Sequence, residues 1–145
     1  MINMKLTIKR PKKGYIKAVA DRIVSEVILK AGTRIIEGGV DAAKVTYLEK
    51  KKHTPKMPSF IFDSFKIDKN LSLPKSASFV GYCDEAIAPH WIFVDKDRPL
   101  VNGQMWSEVN PKAPYEFIAE GNQFIEDNAD RIVKEEIARA VKKWK

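Results

Sequence analysis

The chain has 145 residues, is 44% hydrophobic and 31% charged, and carries a net charge of +7. Those values predict one domain over 1–145 and exclude a disordered or low-complexity chain. A single cysteine, Cys83, excludes an internal disulfide, so the fold must stand on packing, as suits a reducing compartment.

The N-terminus, Met1-Ile2-Asn3-Met4-Lys5-Leu6, lacks the apolar stretch of a signal peptide. No apolar run approaches the ~20 residues of a membrane span. The sequence therefore reads as soluble and intracellular at synthesis, with no membrane partner.

Lys5 to Lys9 alternates polar and apolar residues, which predicts a short half-buried strand. Arg10-Pro11-Lys12-Lys13-Gly14 breaks it. From Tyr15 the period changes. Ile16, Val19, Ala20, Ile23, Val24, Val27, Ile28, Ala31 and Ile35 fall at helical spacing and predict a long amphipathic helix. Gly38-Gly39 is expected to stop it, and Asp41 to cap a second, weaker helix through about Lys52. Thr54-Pro55-Lys56-Met57-Pro58 forces a loop.

Ser59 can cap one or two helical turns, and Phe65 to Asp68 can start a strand. Ser76 to Cys83 is a better strand, bounded by Pro74 and Asp84-Glu85. The run from His90 to Val94 is too short for its period to separate strand from helix. Asn102-Gly103 predicts a hairpin, with Gln104 to Val109 as its return strand. A final helix is expected from near Pro114, with Gly121 marking a kink or break. The sum is an α+β fold: a small antiparallel sheet packed by a long N-terminal helix and a long C-terminal helix.

Basic residues cluster at Lys9, Arg10, Lys12 and Lys13, at Lys50, Lys51 and Lys52, and at Lys142, Lys143 and Lys145. Such patches can attract phosphates or an acidic protein surface. The plainer reading of each is a solvated face or favourable charge at a helix C-terminus.

Reactive chemistry finds little footing. The two histidines, His53 and His90, have no paired spacing for a metal, and a Cys83/Asp84/His90 site lacks a second cysteine or histidine. No serine sits in a nucleophile elbow and no glycine-rich phosphate loop occurs. Asp95-Lys96-Asp97 reads as turn chemistry. Catalytic, cofactor-binding and metal residues are therefore expected to be none, and an enzyme is not expected. Aromatics near lysines could stack bases, which keeps a basic nucleic-acid-binding accessory protein as the alternative. Most of these aromatics, however, fall at apolar positions of predicted elements, where core packing is the default.

Four segments in order carry a resemblance: Met57-Pro58-Ser59-Phe60-Ile61-Phe62-Asp63-Ser64-Phe65, Phe79-Val80-Gly81, Ala88-Pro89-His90-Trp91-Ile92-Phe93-Val94-Asp95, and Ala113-Pro114-Tyr115-Glu116-Phe117-Ile118. Together they resemble the small tail-component (tail-completion, or neck) proteins of long-tailed double-stranded DNA bacteriophages. Two departures stand out: Ser59-Phe60 where the family often has Thr-Gly, and Asp95-Lys96-Asp97-Arg98 where it often has a Gly-Thr turn. The resemblance implies a structural virion protein without catalytic residues. Copies would form a ring, usually sixfold, at the head–tail junction, after assembly in the host cytoplasm. Partners would be head-side connector or portal-stack proteins and tail-tube or terminator proteins, with DNA passing through the lumen. Trp91, Phe93, Arg98, Trp106 and Tyr115 are the expected interface residues, with the intramolecular core as the competing place for the aromatic ones.

Overall fold

The computed structural model describes residues 3–9, 18–51, 60–72, 76–110 and 113–144. Strand β1 (Met4–Lys9) is followed by helix α1 (Ala18–Lys51), a single helical turn α2 (Phe60–Asp63), and strands β2 (Phe65–Asn70) and β3 (Ser76–Cys83). Short helices α3 (Trp91–Asp95) and α4 (Trp106–Val109) lead to the terminal helix α5 (Phe117–Trp144). The strands form one antiparallel sheet in the order β1-β3-β2. Long helices from the two ends of the chain pack with it, as the α+β reading expects.

The sheet has one covered face. Ala77, Phe79, Gly81 and Cys83 are buried on alternate positions of β3, and Phe65 and Met4 lie on the same side. Helix α1 packs so closely on this face that the Phe79 ring fills the place where Gly32 would carry a Cβ.

Helix α1 corrects two expectations. It runs through Gly38-Gly39 without stopping, and the weak second helix is its continuation. The physical reason is a helix crossing. A Cβ on Gly39 would lie 3.2 Å from the carbonyl oxygen of Gly121 in α5, and one on Gly38 would collide with the Phe124 ring. Gly121 likewise sits at this contact inside an unbroken α5, where a kink or break was expected. Each mid-helix glycine costs about 1 kcal/mol relative to alanine. The close approach of the two backbones uses that absence of side chain. Counted as core positions, Gly32 and Gly39 complete a buried stripe with Ile28, Ala31, Ile35, Ile36, Val40, Ala43 and Tyr47.

The two long helices run antiparallel. Gly38 and Gly39 meet Phe124 and Ile125, while Arg34 reaches Glu135 and Glu136 further along α5. Arg34 spreads its guanidinium across both carboxylates at 2.9 Å each, and Glu136 is almost fully buried. The neighbouring guanidinium holds the Glu135 carboxyl below its usual value, and the two carboxylates push Arg34 upward.

Two other expectations change. The chain after Asn102-Gly103 does not return as a strand. Pro99 and Met105 make one isolated bridge, Gly103 takes a positive φ of 86°, and α4 follows. Helix α5 begins at Phe117, not near Pro114.

Candidate interaction surface: the 84–116 excursion

Between β3 and α5 the chain makes a long excursion, 84–116, containing α3 and α4. Its inner side is aromatic. Phe117 sits fully buried among the rings of Tyr47, Phe65 and Trp91, at centroid distances of 5.9, 5.7 and 6.5 Å. Trp106 lies 5.5 Å from Tyr115, which meets Tyr47 at 5.8 Å. Burial, with the neighbouring Tyr115, pushes the Tyr47 hydroxyl up to about 12.

Two aspartates tie the excursion together. Asp95, at the end of α3, is fully buried, and its Oδ1 accepts the Ile118 backbone N–H at 3.1 Å. Its backbone carbonyl accepts Glu116 N–H at 3.1 Å, and Val94 O accepts Tyr115 N–H at 3.0 Å. Asp95 thus caps the start of α5 from a distant position in the chain. Glu116, just before the helix, holds a left-handed φ of 52°, a conformation these contacts help fix. Asp97 is the second tie. Its carboxylate accepts the backbone N–H groups of Arg98 and Ser107 and the Ser107 hydroxyl. The Ser107 hydroxyl in particular holds that carboxyl below its ordinary value. Asp95-Lys96-Asp97 therefore organises the excursion, beyond shaping a turn.

Desolvation raises the Asp95 carboxyl above its ordinary 3.8, against hydrogen bonds from Ile118 and Phe117 and the Lys96 ammonium. A raised carboxyl contributes stability that is complete below pH 3.8 and fades as pH rises through its folded value. Asp95→Asn keeps an acceptor for Ile118 but cannot titrate. Urea unfolding from pH 4 to pH 7 is expected to show the wild type losing stability relative to the Asn variant as pH rises. A constant difference between the two across that range would refute the assignment.

The excursion also leaves large apolar side chains exposed, interspersed with exposed Glu85, Asp97, Asn102, Gln104 and Glu108. Phe93 is 55% exposed and Val101, in the turn before Asn102-Gly103, is completely exposed. Ile87, Ile92 and Val109 are exposed as well. Phe93, His90, Val94 and Arg98 line one shallow notch.

The expected interface residues therefore divide. Trp91, Trp106 and Tyr115 are buried inside the subunit, which corrects their assignment as surface anchors: the aromatic cluster around Phe117 consumes them. Phe93 remains outside. Arg98 stacks over the Trp106 ring at 4.6 Å and donates to Phe93 O at 2.8 Å, so it is engaged within its own subunit. Sequence reasoning did not single out Val101, Ile87 or Val109. The apolar residue beside Asn-Gly was the available signal for Val101.

Of the basic clusters, Lys9 ends β1 on the surface and Lys50 donates to Pro114 O at 3.3 Å. Lys51 ends α1. Arg10, Lys12, Lys13 and Lys52 lie outside the described residues. Lys142 and Lys143 are exposed in the last turn of α5.

Cys83 is buried in β3, and desolvation pushes its thiol up to about 12. Among the described residues no cluster of three or more His, Cys, Asp or Glu side chains could hold a metal ion. Among them, too, no helix is long and apolar enough to cross a membrane. No family model, curated protein or solved structure matches the chain.

Proposed function

We propose that this chain is a structural virion protein of a long-tailed bacteriophage, acting by protein–protein contact. In this reading copies of it close a ring at the head–tail junction, between the portal and connector stack and the tail tube. The observation that carries the reading is that the 84–116 excursion is pinned from within yet leaves large apolar side chains exposed. Its inner side is pinned by Asp95, Asp97 and the Phe117 aromatic cluster. Phe93, Ile92, Ile87, Val101 and Val109 are each exposed to solvent along it. A preorganised loop that presents exposed apolar side chains loses little entropy on docking, which favours a contact role. Two of the four segments that carry the family resemblance, Ala88 to Asp95 and Ala113 to Ile118, fall within or border this excursion.

Ring closure needs two different patches on each subunit, so that each copy meets the next head to tail. Apolar loop contacts are only weakly screened by salt, whereas a ring held by the basic clusters would dissolve at high ionic strength. Native mass spectrometry of the full chain at low and high salt, with a DNA gel shift alongside, tests the reading. A multimer that survives high salt and is lost in Phe93→Asp/Val101→Asp is expected. A single subunit that binds DNA tightly and saturably would overturn it in favour of a nucleic-acid-binding accessory protein.

A further inference from the structure

The three-stranded sheet has two outer strands, and they differ in charge pattern. Among the described residues β2 pairs only with β3. The phase of that ladder shows which backbone groups of β2 point outward. Asp84 N–H donates to Ser64 O at 2.8 Å, and this pair continues the register that sets Phe65 opposite Cys83. Hydrogen-bonded pairs alternate along an antiparallel ladder. Ser64/Asp84, Lys66/Tyr82 and Asp68/Val80 are therefore the bonded pairs. The N–H and C=O groups of Phe65, Ile67 and Lys69 are directed away from β3.

We propose that this edge of β2 receives the same edge of a second copy of the chain, paired antiparallel about a two-fold axis at Ile67. Centring on Ile67 places an outward-directed residue against its own counterpart, so Ile67 exchanges two backbone hydrogen bonds with its symmetry mate. Phe65 and Lys69 then exchange bonds with Lys69 and Phe65 of the second copy. The same register sets Lys66 opposite Asp68 of the other chain, twice by symmetry. Those are the non-hydrogen-bonded positions, where cross-strand side chains approach most closely. Lys66 and Asp68 are both exposed in the single subunit, on the uncovered face of the sheet. The half-buried Ile67 meets its mate on the other face. Backbone phase, charge order and apolar contact thus agree on one register.

Strand β1 cannot do the same. Its charged residues are Lys5 and Lys9, both exposed, and it has no acidic residue. Self-pairing there would gather lysines without a counter-charge, a recognised guard on edge strands. The inference is independent of the proposed ring, because an isologous two-fold contact closes on itself and joins only two copies.

Sedimentation and native mass spectrometry of the full chain test it. The wild type is expected to form a concentration-dependent dimer, or assemblies built from pairs. Lys66→Asp and Asp68→Lys each convert two attractive cross-strand pairs into two repulsive ones, weakening the pair by about tenfold or more. The double reversal, Lys66→Asp with Asp68→Lys, restores the complementarity and the pair. Ile67→Pro removes an outward N–H, costs no bond to β3, and is expected to leave a folded subunit without the pairing. Circular dichroism checks that fold, and the charge-reversal cycle decides the matter if this variant does not fold. A wild type that stays single at every concentration overturns the proposal. So does an assembly whose subunit count is unchanged in folded Ile67→Pro, or single-reversal losses that the double reversal does not restore.

Discussion

Gly121→Ala is expected to destabilise this protein by about 2 kcal/mol, the reverse of what the substitution does in an ordinary helix. In an exposed helix interior, alanine in place of glycine gains about 1 kcal/mol. Here the added Cβ would stand 2.8 Å from the carbonyl oxygen of Gly39 and would collide with the Met4 thioether. Met4 is fully buried, so its sulfur has little room to swing aside. The Gly39 oxygen belongs to the α1 backbone and yields only if the two long helices part. Parting them loosens Phe124 on Gly38 and strips cover from Ile132, Ile35 and Ala31. Overpacking costs roughly 1–3 kcal/mol and occasionally more; a clash with backbone puts this one at about 3 kcal/mol, which leaves about 2 kcal/mol net after the propensity gain. Gly121→Leu is expected to prevent folding altogether. Urea denaturation followed by far-UV circular dichroism measures both. An alanine variant as stable as the wild type would mean that the helices do not cross this closely.

Phe117→Ala carries the largest single side-chain loss expected, about 3–5 kcal/mol. Phe117 is the one ring that touches Tyr47 of α1, Phe65 of β2 and Trp91 of α3 together. Two of those contacts are edge-to-face, with interplanar angles of 80° and 74°. Deleting the ring leaves a cavity that three separate elements would have to collapse to fill. Phe117→Leu retains most of the volume and is expected to cost under about 1.5 kcal/mol. For a domain whose total stability is on the order of 5–15 kcal/mol, the alanine variant spends a large share of the whole. Thermal melts compare the two, and tryptophan emission should shift to the red in the alanine variant as Trp91 gains water. Equal melting points for the Ala and Leu variants would show that Phe117 is not the hub of the cluster.

The parts of the fold that follow a local period were legible from the residues. Strands β1 and β3 alternate, and the stripes of α1 and α5 repeat at helical spacing. What sequence could not separate were residues whose role depends on a distant partner. Gly38, Gly39 and Gly121 read locally as punctuation, because glycine stops helices far more often than it seats a second helix. Their meaning appears only when α1 and α5 are side by side. Asp95 read as turn chemistry because the helix it caps starts more than twenty positions later. Trp91, Trp106 and Tyr115 fit surface or core equally well by composition, and the packing around Phe117 decides for the core. Phe93 and Val101 had no feature distinguishing them from core residues except their place next to turns.

Asp95 gripping Ile118 has a mechanical corollary. The excursion is clamped to the root of a 28-residue helix that would span about 42 Å at the usual 1.5 Å rise. The glycine crossing fastens that rod to α1 near its root, and Arg34 fastens it again at Glu135 and Glu136. With two attachment points along its length the rod cannot swing about either one. A push on α3 is therefore borne by both long helices together, and the excursion rides on the stiffest part of the subunit.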